Sequence, residues 1–136
     1  MTNNLCTETG YISLNHVGEQ LCGDRVEIVD KENENILVLA DGLGSGVKAN
    51  ILSTLTSKII STMLAGGMPI EECIDTIAST LPVCKVRQVA YSTFTVIRIL
   101  ENRVAELIQF DNPAVIVLRN GTRYNYPVST REVGGK

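Results

Sequence analysis

The sequence predicts an α+β domain built on antiparallel sheet, and three features carry that expectation. Apolar residues first follow strand-like patterns in "RVEIVD" (25–30) and "NILVLA" (35–40). The period then lengthens to three or four residues through two successive segments, as helices require. A last block, "AYSTFTVIRIL", "RVAELIQF" and "AVIVLR", returns to strand patterning. Strands, then helices, then strands is the order of an α+β domain, not of alternating βαβ units. With 136 residues, 44% of them apolar, the chain can bury one ordinary core, so residues 1–136 are read as a single domain.

A first strand is expected around Tyr11–Val17. "RVEIVD" and "NILVLA" flank the polar turn "KENE" and make a β-hairpin. From Ala49 to about Leu64, Leu52, Leu55, Ile59 and Met63 recur at helical spacing and define the expected packing face. The opposite face carries Ser53, Thr54, Thr56, Ser57, Ser61 and Thr62, weakly polar enough to suggest partial cover by a neighbouring element. A second helix starts at Pro69, has Glu71 and Glu72 at the positive end of its dipole, and presents Ile70, Cys73, Ile74, Ile77 and Leu81 before Pro82 ends it. The later strands are joined by "EN" and "DNP", and "NG" at Asn120–Gly121 is a hairpin turn. The two-sided apolar character of "NILVLA" and "AVIVLR" implies a sheet covered on both faces.

Composition excludes several function classes. Net charge is -3 from 12 basic and 15 acidic residues of interspersed sign, and only 4% of residues are aromatic, so neither a nucleic-acid footprint nor a base-stacking surface is present. No apolar run approaches a membrane span, and "MTNNLCTETG" has no signal-peptide pattern, so a cytoplasmic protein without membrane contact is expected. Cys6, Cys22, Cys73 and Cys84 form no C-x-x-C pair and read as reduced structural thiols.

The chemistry concentrates at "LADGLGSGVKAN" (39–50). If the hairpin turns through Lys31–Glu34, residue 30 faces 35, 28 faces 37, 26 faces 39, and Asp24 faces Asp41. Strand alternation puts both acids on one face with Val26, Ile28, Leu37 and Leu39, the face expected to meet the core. Two carboxylates about 5 Å apart at Cβ repel unless one is protonated or a cation bridges them. A hard divalent ion, Mg²⁺ or Mn²⁺, suits carboxylate and carbonyl oxygens, and Gly42 can offer its carbonyl beside Asp41. The glycines match neither the Walker loop, since Gly46 is followed by Val47-Lys48-Ala49, nor the dinucleotide fingerprint, since "GLGSG" is G-x-G-x-G. A glycine-rich turn with a solvated aspartate is the plain structural alternative. His16, the single histidine, is more simply a surface or capping residue than a general acid. Lys85 and Arg87 read more simply as a solvated strand edge than as a substrate-steering patch.

"CGD" at Cys22–Asp24, "LADGLGSG" at Leu39–Gly46 and "YSTFTVIRI" at Tyr91–Ile99 together resemble the metal-dependent protein serine/threonine phosphatases, in the bacterial branch typified by the stage II sporulation protein E phosphatase domain. The resemblance runs over roughly Ile12 to Gly121. It implies an α-β-β-α sandwich in which Asp24 and Asp41 bridge two Mn²⁺ or Mg²⁺ ions, the Gly42 carbonyl completes one shell, and metal-activated water hydrolyses phosphoserine or phosphothreonine of a regulatory phosphoprotein. The family's further metal aspartate, in a D-G near the domain's end, has no counterpart here. Asp30, Asp75 and Asp111 do not match it. The chain is therefore expected to correspond to the first two thirds of the family domain, holding one ion weakly. The competing expectation is a catalytically silent phosphatase-like module that binds a regulator or forms a homodimer.

Overall fold

The computed structural model describes residues 5–14, 23–42, 46–80, 93–110 and 112–128. Its elements in order are β1 (Asp24–Lys31), β2 (Glu34–Asp41), α1 (Gly46–Ala65), α2 (Ile70–Thr80), β3 (Thr93–Leu100), β4 (Val104–Phe110), β5 (Val117–Arg119) and β6 (Thr122–Tyr124). The first four strands form one antiparallel sheet in the order β1-β2-β3-β4, and β5 pairs with β6. The α+β class and its antiparallel sheets are as the sequence predicts. Of the expected first strand, Tyr11–Leu14 carry no strand, and the rest lies outside the described residues. "AVIVLR" is strand only from Val117.

The turns follow local chemistry. Lys31 pairs with Glu34, so Glu32 and Asn33 alone close the first hairpin. Glu101 and Asn102 both take positive φ, as do Asn120 and Gly121, which is the geometry of tight turns whose twist suits two antiparallel strands. Helix α1 ends in a Schellman arrangement: Met68 N–H donates to the Met63 carbonyl, Gly67 N–H to that of Leu64, and Gly67 supplies the left-handed residue at φ 87°. No basic side chain of its own lies in α1's last turn. Lys31 of β1 reaches across instead, and its ammonium donates to the Ala65 carbonyl, a cation at the negative end of the helix dipole.

Both helices cover one face of the sheet, and the core lies between. Ile36, Val38, Ala40, Phe94 and Val96 point from β2 and β3 toward Ile60, Leu64, Cys73 and Ile74. Phe94 stacks on Phe110 at 5.4 Å between ring centroids. In α2 the stripe is as expected at Cys73 and Ile74, both buried; the side chain of Ile77 and all of Leu81 lie outside the described residues.

Two expectations about facing are overturned. Helix α1 buries Ala49, Ser53, Thr56, Ser57, Ile60, Ser61 and Leu64, the Ser/Thr-rich side, while Leu55 is exposed and Ile59 and Met63 are only partly buried. The physical reason is size. Small hydroxyl side chains let the helix backbone approach a sheet face already filled by Ile36, Val38 and Phe94, and a helix hides a serine hydroxyl by bonding it to its own preceding turn. Ser53, Ser57 and Ser61 do this, donating to the carbonyls of Asn50, Thr54 and Lys58. The second correction concerns the hairpin. The helix-covered face carries Ile36, Val38 and Ala40, so the face shared by Asp24, Asp41, Val26, Ile28, Leu37 and Leu39 points away from the helices and is half-exposed, Leu39 reaching 45%. The acids thus sit on the outer face of the sheet.

Candidate metal centre on the outer face of the sheet

The hairpin register places Asp24 directly opposite Asp41. Beyond that pair, Gly42 N–H donates to the Gly23 carbonyl at 2.9 Å. Antiparallel pairs alternate between hydrogen-bonded and non-hydrogen-bonded, so with 23/42 in the first class, 24/41 falls in the second, where opposed side chains stand closest. The two carboxylates meet at the end of the sheet where β2 leaves for α1.

That crowding has an electrostatic signature. The Asp24 carboxyl is raised above the ordinary aspartate range, first by desolvation, then by the charge of Asp41 and by a hydrogen bond shared with it. Each of these favours a proton, or another cation, between the two groups.

Gly42 is fixed by close approach. A Cβ built on it would lie 2.0 Å from the Ala49 carbonyl oxygen and 2.7 Å from that of Gly23. Strand β2 therefore passes into the first turn of α1 with no room for any side chain, which locks Asp41 to the helix start. A donor set of two opposed carboxylates, with a glycine backbone against them, fits a hard divalent cation. Among the described residues no group of three or more His, Cys, Asp and Glu side chains converges.

Sequence reasoning missed what lies beside Asp41. Across the other edge of β2, Asp41 pairs with Thr93, so Asp24, Asp41 and Thr93 form one row over three strands. In the next row Thr95 accepts a hydrogen bond from the Asn112 side-chain amide at 2.9 Å. Gln109 of the same face accepts from Val115 N–H at 2.8 Å, and the Tyr126 hydroxyl donates to the Val115 carbonyl. These bonds tie the chain after β4 to the face that carries the acids. The alternation in "STFTV" marked these threonines as sharing a face, but only the pairing of β2 with β3 could bring them to Asp41. His16, Cys22, Cys84, Lys85 and Arg87 lie outside the described residues. Cys6 is an exposed free thiol and Cys73 a buried one. Among the described residues no helix is long and apolar enough to cross a membrane.

The comparisons with known proteins agree with this architecture. The family model of stage II sporulation protein E (SpoIIE) matches residues 31–133, which takes in Asp41 and Gly42 and begins after Asp24. A crystal structure of RsbX in complex with magnesium is similar at 24% identity and a TM-score of 0.50, over 68% of this chain and 43% of that one. The PP2C phosphatase domain with a fragment of the regulatory domain of the cell fate determinant SpoIIE from Bacillus subtilis is similar at 18% identity and a TM-score of 0.57, over 83% and 39%. At these identities the likeness establishes the fold, and the chain spans about two fifths of the length of each structure. No curated protein sequence matches the chain. With the family model matching well over half its residues, the chain belongs to the stage II sporulation protein E family.

Proposed function

We propose that this chain forms the metal-binding part of a protein serine/threonine phosphatase that dephosphorylates phosphoserine or phosphothreonine on a regulatory phosphoprotein in the cytoplasm, residues 1–136 belonging to one domain. The observation that carries the reading is the non-hydrogen-bonded pairing of Asp24 with Asp41 on the sheet's outer face. Asp24 and Asp41, seventeen residues apart in sequence, are brought to one spot at an electrostatic cost that a shared proton relieves at low pH and a bound divalent cation can offset at neutral pH.

Asp24 and Asp41 would hold Mg²⁺ or Mn²⁺, with the Gly42 carbonyl as a third oxygen donor. When bound, such a cation makes water a competent nucleophile near neutral pH and stabilises charge on the phosphoryl group. The chain's own contribution is positional. The β1–β2 register fixes the separation of the carboxylates, and the contact of Gly42 with Ala49 fixes the strand end against α1. No cysteine is needed as a nucleophile. The magnesium reported with RsbX, whose fold is similar, supports the choice of ion class.

The test is Mn²⁺-dependent hydrolysis of p-nitrophenyl phosphate by the wild-type chain and by Asp41→Asn. The reading expects cation-dependent turnover that Asp41→Asn abolishes; turnover indifferent to that substitution contradicts it.

A further inference from the structure

Among the described residues, Thr93 is the hydroxyl in line with the acid pair. It stands across from Asp41 in the β2–β3 register, on the same face, and is only 7% exposed although Leu39, one row away, is 45% exposed. A hydroxyl next to a carboxylate is a ready donor to it. The other buried threonine of this strand face, Thr95, has its partner in Asn112.

For Thr93 the row itself offers one acceptor, the Asp41 carboxylate in the facing position. The turn bond from Glu101 N–H to the Asn33 carbonyl sets the alternation between β2 and β3, and counting along the ladder makes 41/93 a hydrogen-bonded pair. Its Cβ atoms therefore stand about 5 Å apart, within reach of a hydroxyl and a carboxylate. A carboxylate that binds a cation through one oxygen is held by a second hydrogen bond to the other, and such outer partners set both orientation and basicity. Asp24 and Thr93 flank Asp41 on opposite sides, so the two oxygens of Asp41 have distinct places to go.

We infer that Thr93 is a positioning residue of the cation site: its hydroxyl donates to the Asp41 carboxylate and turns the remaining oxygen toward the ion shared with Asp24. The inference rests on the metal-centre reading above and assigns a residue that reading does not use. It predicts that β3 contributes to cation affinity without contacting the cation.

The experiment is isothermal titration of the full chain with Mn²⁺, comparing wild type, Asp41→Asn, Thr93→Val, Thr93→Ser and Thr95→Val. Loss of the hydroxyl in Thr93→Val is expected to weaken binding about 10- to 100-fold, the range for outer-shell partners. Thr93→Ser, which keeps the hydroxyl, is expected to restore it to within a few-fold, and Thr95→Val to leave it close to wild type. A purely structural Thr93 would instead favour the valine, its near-isostere, over serine. Wild-type affinity in Thr93→Val overturns the role of Thr93 while leaving the metal centre standing; binding indifferent to Asp41→Asn overturns both. A readout that needs no substitution of Thr93 is its methyl resonance in the wild-type chain during titration with diamagnetic Mg²⁺. The inference expects a shift with the midpoint of the binding isotherm, and an unmoved resonance contradicts it.

Discussion

Gly42 and Ala49 touch backbone to backbone: a methyl group on Gly42 would stand 2.0 Å from the Ala49 carbonyl oxygen. Strand β2 and helix α1 are thereby joined at the residue after Asp41, and the placement of the acid depends on the packing of the helix. Gly42→Ala must push the two elements apart. We expect a loss of at least 1–3 kcal/mol, the usual cost of forcing extra atoms into a packed site, measured as a lower urea midpoint with an unchanged slope.

The facing of α1 makes a second prediction. Thr56 is buried on the sheet side, and its hydroxyl has no hydrogen-bond partner. Thr56→Val keeps the shape and removes the unpaired group, so it is expected to raise stability by about 1 kcal/mol in urea denaturation. Ile60→Ala, on the same buried side, is expected to cost about 2–5 kcal/mol, whereas Leu55→Ala, on the exposed side, should cost well under half of that. Equal losses at positions 55 and 60 would mean that the helix packs through the other face.

The acid pair predicts a pH dependence for the cation-free chain. Desolvation and the Asp41 charge raise the folded-state pKa of Asp24 above its unfolded value of about 3.9. The folded state then holds a proton that the unfolded state releases, so the stabilisation this proton brings is present below about pH 3.9 and is lost as pH rises through the folded pKa. Asp24→Asn cannot lose it. In EDTA, the thermal midpoint of Asp24→Asn should therefore gain on that of the wild type as pH is raised from about 4 towards 7, and a difference that stays flat would contradict the coupling.

Much of this architecture was legible in local sequence, and what was not has a physical cause. The β1–β2 register followed from "KENE" because a short polar turn fixes which residues oppose, and the facing of Asp24 and Asp41 came with it. The side of the hairpin that meets the helices did not follow, because Val26, Ile28, Leu37 and Leu39 are as apolar as Val29, Ile36 and Val38. Pattern alone cannot choose between two apolar faces. Helix α1 differs for a related reason: helical periodicity points to its longest side chains as the core, but the sheet accepts the small hydroxyl side chains that let the helix approach. Thr93 was hidden because its link to Asp41 spans more than fifty residues and exists only once β2 and β3 pair.

The central claim, that Asp24 and Asp41 together hold a divalent cation, is tested most directly by calorimetric titration of the 136-residue chain with Mn²⁺ alongside Asp24→Asn and Asp41→Asn. We predict saturable binding by the wild type and a loss of about tenfold or more in affinity for each single substitution, since either change removes one of two charged donors. Binding that survives both substitutions unchanged would place the cation elsewhere and contradict the account.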